Sequence, residues 1–158
     1  MPEALRLRPM TADEYASYRA GSAHDYAQEI AESGQLDPDA AAKRAEAELA
    51  ELLPDGPDSP GMHLWTAETG TGERIGLGWI ELRRRASGTS AWIYDIQVDA
   101  TRRGEGWGRR LMEALHDAAR DLGATTMSLN VFGHNTAAIR LYESLGYAVT
   151  AQQMKRDL

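Results

Sequence analysis

Val98-Asp99-Ala100-Thr101-Arg102-Arg103-Gly104-Glu105-Gly106-Trp107-Gly108-Arg109-Arg110 separates an apolar, strand-like run from an amphipathic helical run. Its three glycines fall at alternate positions. Alternate glycines let backbone N–H groups approach a ligand with no Cβ in the way. The helix that follows adds its own unpaired N–H groups and the positive end of its dipole. A turn of this kind suits a phosphate or pyrophosphate group. Arg102, Arg103, Arg109 and Arg110 crowd the same turn. Cations at a helix start oppose the dipole, and a multiply charged anionic ligand would offset that opposition.

Outward from this stretch, the pattern predicts alternating strands and helices. Leu5-Arg6-Leu7-Arg8 alternates as a short strand. Thr11 and Glu14 form a capping box with Met10 and Tyr15 as a hydrophobic staple, so a helix starts there and runs to about Ser33-Gly34. Asp37-Pro38 opens a second helix, with Ala41, Ala45, Leu49 and Leu52 as its apolar face. The loop Pro54-Asp55-Gly56-Pro57-Asp58-Ser59-Pro60-Gly61 ends it. Three strands of a meander follow, at about His63–Thr69, Ile75–Leu82 and Ser90–Val98. Gly76 and Gly78 within the second imply a bulge or a close backbone approach. From Gly108 the residues Leu111, Leu115, Ala118 and Leu122 mark a helix closed by Gly123. Thr126–Val131 reads as a strand, Asn135 caps a helix to about Ser144, and Tyr147–Met154 reads as a last strand. The expectation is a mixed α/β (α+β) fold in the order β-α-α-β-β-β-α-β-α-β. Its sheet is mostly antiparallel, with about six strands flanked by four helices, in a single domain over residues 1–158.

Composition bounds the chemistry. The 158 residues suffice for a core without metal or disulfide staples. There is no Cys, which excludes disulfides, thiolate metal sites and a cysteinyl acyl-enzyme. His24, His63, His116 and His134 are scattered without ligand spacing, so no metal is expected. The net charge of −7 is uneven: residues 1–60 hold 13 acidic and 5 basic residues, residues 61–158 hold 11 and 12. An acidic front end argues against a nucleic-acid partner. The absence of a secretion-type leader in Met1 to Met10 and of a transmembrane run leads to the expectation of a cytoplasmic protein with no membrane partner.

A P-loop is excluded because no Gly-Lys-Ser/Thr follows the turn, and a dinucleotide fingerprint because Arg109 stands where its third glycine belongs. Arg103-Gly104-Glu105-Gly106-Trp107-Gly108 instead resembles the Arg/Gln-x-x-Gly-x-Gly/Ala loop of the GCN5-related N-acetyltransferases (GNAT). Asn135-Thr136-Ala137-Ala138-Ile139-Arg140-Leu141-Tyr142-Glu143-Ser144-Leu145-Gly146-Tyr147 resembles the same family's Asn-x-x-Ala-x-x-Leu-Tyr-x-x-x-Gly-Phe/Tyr signature. The two motifs stand in the family's order. Residues 1–60 match it only in helix arrangement.

The resemblance implies acetyl-CoA as acyl donor, its pyrophosphate on backbone amides from Arg103 through Gly104, Glu105, Gly106, Trp107 and Gly108 to Arg109. It implies that the strand before the loop splays from its neighbour, so that backbone at Ile96, Gln97 and Val98 holds the pantetheine arm. A nearby N–H would then polarise the thioester carbonyl, where negative charge develops. Asn135 would hold the arm, and Tyr142 would protonate the departing thiolate. A phenol of pKa ~10 keeps its proton at neutral pH. The two are seven residues apart, about 10 Å along a helix and on one face. Trp107, at the variable position of the loop, also suits packing of the helix start onto the sheet. For the base that takes the amine proton, Asp95 and Glu81 on neighbouring strands are the candidates, Asp95 first. The lack of Cys and of a Gly-x-Ser-x-Gly elbow favours direct attack over a covalent intermediate.

The leading expectation is an acetyl-CoA-dependent N-acetyltransferase acting on a primary amine, with Asp25, Glu29 and Glu32 attracting a small cationic molecule. The alternatives are a protein or peptide acetyltransferase for lysines or N-termini, and an acyl-CoA-binding sensor without turnover. A single strand after the last helix would leave an edge suited to a homodimer.

Overall fold

The computed structural model describes residues 4–32 and 34–158. The elements are β1 (Leu5–Pro9), α1 (Ala12–Glu32), α2 (Pro38–Leu52), β2 (Met62–Thr69), β3 (Arg74–Arg85), β4 (Gly88–Val98), α3 (Trp107–Asp121), β5 (Thr126–Leu129) and α4 (Thr136–Ser144). By their internal contacts they form two compact units, Met1–Ser128 and Leu129–Leu158. The sheet runs β1-β2-β3-β4-β5, and the pairs β1–β2, β2–β3 and β3–β4 are antiparallel. No helix among the described residues is long and apolar enough to cross a membrane.

Local sequence chemistry starts the helices as expected. The Glu14 N–H donates to Thr11 Oγ1 (3.2 Å) and the Thr11 N–H to Glu14 Oε1 (2.9 Å), a reciprocal capping box. Asp37 caps α2 by accepting from the Ala40 N–H, with Pro38 at the first helical position. The expected end of α1 at Ser33 lies outside the described residues; the helix is described to Glu32.

Side-chain alternation along β3 assigns the two faces of the sheet. Leu77 and Trp79 join Met10, Leu49, Leu53 and Leu64 in the core under α1 and α2. Gly78, between them, points the other way, where a Cβ would stand 2.8 Å from Leu115 Cδ2 of α3. On that face α3 buries Trp107, Leu111, Met112, Leu115 and Ala119. Burial is unequal among the helices. α3 buries five residues, whereas the longer α1 fully buries only Ile30. At about 1.5–3 kcal/mol per large apolar side chain, α3 anchors the sheet and α1 lies on it more lightly.

The sixth strand is corrected. Tyr147–Met154 forms no sheet pairing, Val149 and Met154 are exposed, and the sheet has five strands among the described residues. Alternation specifies which side chains share a face, but a strand exists only through hydrogen bonds to a neighbour. β5 likewise stops at Leu129, short of the expected Val131.

Candidate active site

The glycine turn forms from the end of β4. After Val98 the chain makes one 3₁₀ turn at Ala100–Arg102, and Gly104 (φ +79°) and Gly106 (φ +80°) then take left-handed conformations. That region strains any residue with a Cβ, which is why glycine stands at both. A Cβ built at either meets nothing within 4 Å, so the turn faces open space. Gly106 is the N-cap of α3 and gives no side-chain cap, and no acidic residue stands in the first turn. The first N–H groups of a 15-residue helix are therefore left to solvent or a ligand. Gly108 is the second residue of α3.

The side chains around the turn divide by role. Trp107 is buried; its indole N–H donates to Glu105 Oε2 (2.8 Å), and its ring carries the guanidinium groups of Arg110 (4.7 Å) and Arg102 (5.7 Å). Trp107 thus packs the helix start and holds two cations beside the turn. Arg102 also pairs with Glu73 (3.2 Å). Arg103 is exposed, with its Nε–H on the Val98 carbonyl (3.3 Å), and Arg109 is exposed in the first turn of α3.

Upstream on β4, a bulge sets the next group. Trp79 is opposite Asp95 and Ile80 opposite Ile93, so Tyr94 is the extra residue. Bulges re-aim side chains, and here they turn consecutive residues to one face. Tyr94 stacks on Trp79 at 4.6 Å, and Asp95 Oδ2 accepts from Tyr18 Oη of α1 (2.7 Å) and from Gln97 Nε2 (2.7 Å). Burial pushes the Asp95 carboxyl above the usual carboxylate range. The hydrogen bonds from Tyr18 and Gln97 pull it back only in part, and the charge of Asp25 raises it further. Glu81, the second base candidate, accepts from Tyr94 Oη (2.8 Å) and pairs with Arg83 (3.3 Å).

Gln97 and Tyr18 also line a cleft of about 210 Å³ with Met10, Glu14, Ser17, Gly21, Ser22, Asp25, Arg74 and Leu77. Glu14, Ser17, Tyr18, Gly21, Ser22 and Asp25 recur every three or four residues, a single stripe of α1. Small residues on that stripe make the room. A Cβ at Gly21 would meet nothing within 4 Å. Of the acidic residues expected near an acceptor, Asp25 lines the cleft, whereas Glu29 and Glu32 are exposed and do not.

Comparison with known proteins bears on this strand–turn–helix arrangement. The profile of the Acetyltransferase (GNAT) family matches residues 25–147. The chain belongs to this family. It is 31% identical over 155 residues to the uncharacterized N-acetyltransferase YdgE of Bacillus subtilis, covering 98% of this chain and 99% of that one. It is 32% identical over 154 residues to the uncharacterized N-acetyltransferase YycN of Bacillus subtilis. The crystal structure of YycN superposes with a TM-score of 0.88, covering 98% of this chain and 99% of that one. A mycothiol acetyltransferase of Kytococcus sedentarius is 33% identical over 150 residues, 93% of this chain and 46% of that protein. The protein is thus an N-acetyltransferase, of a family whose acyl donor is acetyl-CoA.

In this acetyltransferase Asn135 and Tyr142 belong to the second unit. Asn135 Oδ1 accepts from the Ala138 N–H (3.3 Å), so its side chain serves α4 as N-cap. The end of α4 gives the Gly-Tyr of the family signature a physical reason. Tyr147 N–H donates to the Tyr142 carbonyl and Gly146 N–H to that of Glu143, both at 3.0 Å, with Gly146 at φ +94°. These are the two bonds of a Schellman stop, which brings the residue after the glycine onto the last turn. The Tyr147 ring accordingly lies 5.8 Å from that of Tyr142, and burial pushes its phenol up to about 12.

Tyr18, Ser17, Gly21, Ser22 and Arg74 line the cleft and were not among the residues expected from the sequence. The small and polar stripe of α1 was the available signal. It opposes the apolar face that the helix would need if all of it were packed. One pH effect follows. Tyr18→Phe removes a hydrogen bond that lowers the Asp95 pKa, so the acidic limb of the kcat/KM profile is expected to move to higher pH. A limb that stays in place would show that Asp95 does not govern it.

Proposed function

We propose that this acetyltransferase moves an acetyl group from acetyl-CoA to the primary amine of a small cationic molecule, by direct attack in a ternary complex. The observation that carries this reading is that one strand, β4, bears Asp95 at its bulge and runs into the open glycine turn. Donor and acceptor functions therefore share one rigid element, as positioning requires.

The residues fit the donor. The turn from Gly104 to Arg109, open at Gly104 and Gly106, suits its pyrophosphate, with Arg102 and Arg110 held nearby by Trp107. β5 is joined to β4 at its beginning, where the Thr125 N–H donates to the Thr89 carbonyl (2.9 Å). A four-residue strand rooted there spans about 13 Å and ends short of Ile96. Backbone groups at Ile96 and the Val98 N–H are beyond its reach and suit the pantetheine arm, the Val98 carbonyl being taken by Arg103. The donor supplies an activated acyl thioester. Asp95 accepts the proton of the attacking amine, its carboxyl range raised toward that task, and Tyr142 gives a proton to the leaving thiolate. Asn135 orients the start of the Tyr142 helix.

The cleft holds about seven water volumes. That size favours a small acceptor over a peptide, and the held carboxylate of Asp95 favours turnover over sensing. Calorimetric titration with acetyl-CoA beside ATP, followed by thiol release with a panel of amines, tests the reading. Binding of acetyl-CoA alone and amine-dependent thiol release are expected; silence toward acetyl-CoA would reject it. Tyr142→Phe is expected to lower transfer about tenfold or more with donor affinity retained. Unchanged transfer would remove Tyr142 from the role of acid.

A further inference from the structure

Three charged residues line the cleft, and two of them keep unused capacity. Glu14 is satisfied, its two carboxylate oxygens accepting from Arg8 Nη1 (2.7 Å) and Nη2 (3.1 Å). Asp25 has no hydrogen-bond or ion-pair partner among the described residues, and its field reaches Asp95. Arg74 gives its Nε–H to Asp99 Oδ2 (3.0 Å), and its two Nη groups have no partner among the described residues. The rest of the polar lining is neutral: Ser17, Tyr18, Ser22 and Gln97.

We propose that the acceptor is a zwitterion of the amino-acid class, its ammonium drawn to Asp25 on the side of the cleft where Tyr18 and Gln97 hold Asp95, and its carboxylate taken by the Nη groups of Arg74. The proposal rests on the acyl-transfer reading for the purpose of the cleft, and it narrows the acceptor. A simple cation would meet Arg74 with like charge, and an uncharged amine would leave Asp25 without a partner and the Arg74 Nη groups unused. A guanidinium fork matches a carboxylate with two parallel N–H···O bonds. The volume suits a molecule of this size.

The test measures binding and turnover of unbranched amino acids of increasing amine-to-carboxylate spacing, each beside the alkylamine lacking the carboxylate. Calorimetry is done on protein saturated with CoA, and thiol release with acetyl-CoA, for the wild type and for Arg74→Gln and Arg74→Lys. At one spacing the amino acid is expected to bind about tenfold or more tighter than its alkylamine, the worth of a charge-assisted pair. Arg74→Gln is expected to erase that ratio, and Arg74→Lys to restore part of it. Alkylamines binding as well as amino acids, no binding by either, or a ratio indifferent to Arg74→Gln would overturn the proposal. So would a loss confined to acetyl-CoA affinity, which would assign Arg74 to the donor. Amino-acid binding without thiol release would leave this site standing and reject the transfer reading instead. Turnover of alkylamines alone would do the reverse.

Discussion

Asp95→Asn is expected to lower kcat/KM for the amine by about 10²-fold or more, with acetyl-CoA affinity retained. The amide is isosteric, and its oxygen still accepts from Tyr18 and Gln97, so the 2.7 Å contacts on Oδ2 have a replacement. The proton acceptor is removed, and the amide must also be matched to the Ile96 backbone N–H that the carboxylate accepts from. The same substitution should not cost stability at neutral pH. The folded protein holds this carboxyl above the usual range, so in the fold the neutral form is favoured. The stabilising contribution is full below the ordinary carboxylate value of about 3.8 and is lost as pH rises through the raised folded value. At neutral pH the buried charge is a burden that Asn lacks. Thermal unfolding of the variant is therefore expected at or above the wild-type temperature, while the acidic limb of kcat/KM disappears. A variant that keeps wild-type turnover and limb would assign the proton transfer to another group.

Gly76→Ala is expected to damage the fold more than any other single methyl addition in the sheet. A Cβ there would stand 2.0 Å from the Gln97 carbonyl oxygen and 3.1 Å from Val98 Cα, both backbone atoms of β4. Backbone cannot rotate aside, so β3 and β4 must separate where the donor arm is proposed to lie. Overpacking of this kind costs about 3 kcal/mol or more. In a chain of this size that lowers Tm by roughly 6–12 °C. Acetyl-CoA affinity should fall with it, because Gln97 and Val98 move. Gly78→Ala is the control: its Cβ meets Leu115 Cδ2 at 2.8 Å, the end of a side chain that has other rotamers. A loss of about 1–2 kcal/mol is expected there. Equal losses at the two positions, measured by denaturant unfolding, would show that the close strand approach at Gly76 is not what requires glycine.

Local chemistry made much of the molecule legible in the sequence. The Thr11–Glu14 box, the Asp37-Pro38 start, the Asn135 cap and the Gly146 stop each depend on residues within a few positions of one another. So does the glycine turn, whose left-handed pair can be read from the spacing of Gly104 and Gly106. These features, with the alternation of β2 to β4, determined the order of the elements, while the motifs at residues 103–108 and 135–147 carried the resemblance to the family.

Features that depend on a distant partner were decided by the tertiary structure. Gly76 and Gly78 announced a close approach, but only the sheet and α3 supply the Gln97 carbonyl and Leu115 that they approach. Asp95 meets Tyr18, 77 positions away, whereas the Glu81 carboxylate is taken up by Arg83 and Tyr94. Tyr147–Met154 had the pattern of a strand and no neighbour to pair with. By itself, then, the sequence determined the helix ends and the glycine turn, both governed by short-range sterics and hydrogen bonds, and its two motifs carried the kinship. Which carboxylate is buried, where the cleft opens along α1 and how many strands pair were decided only in the folded chain, because burial and pairing are properties of two surfaces brought together.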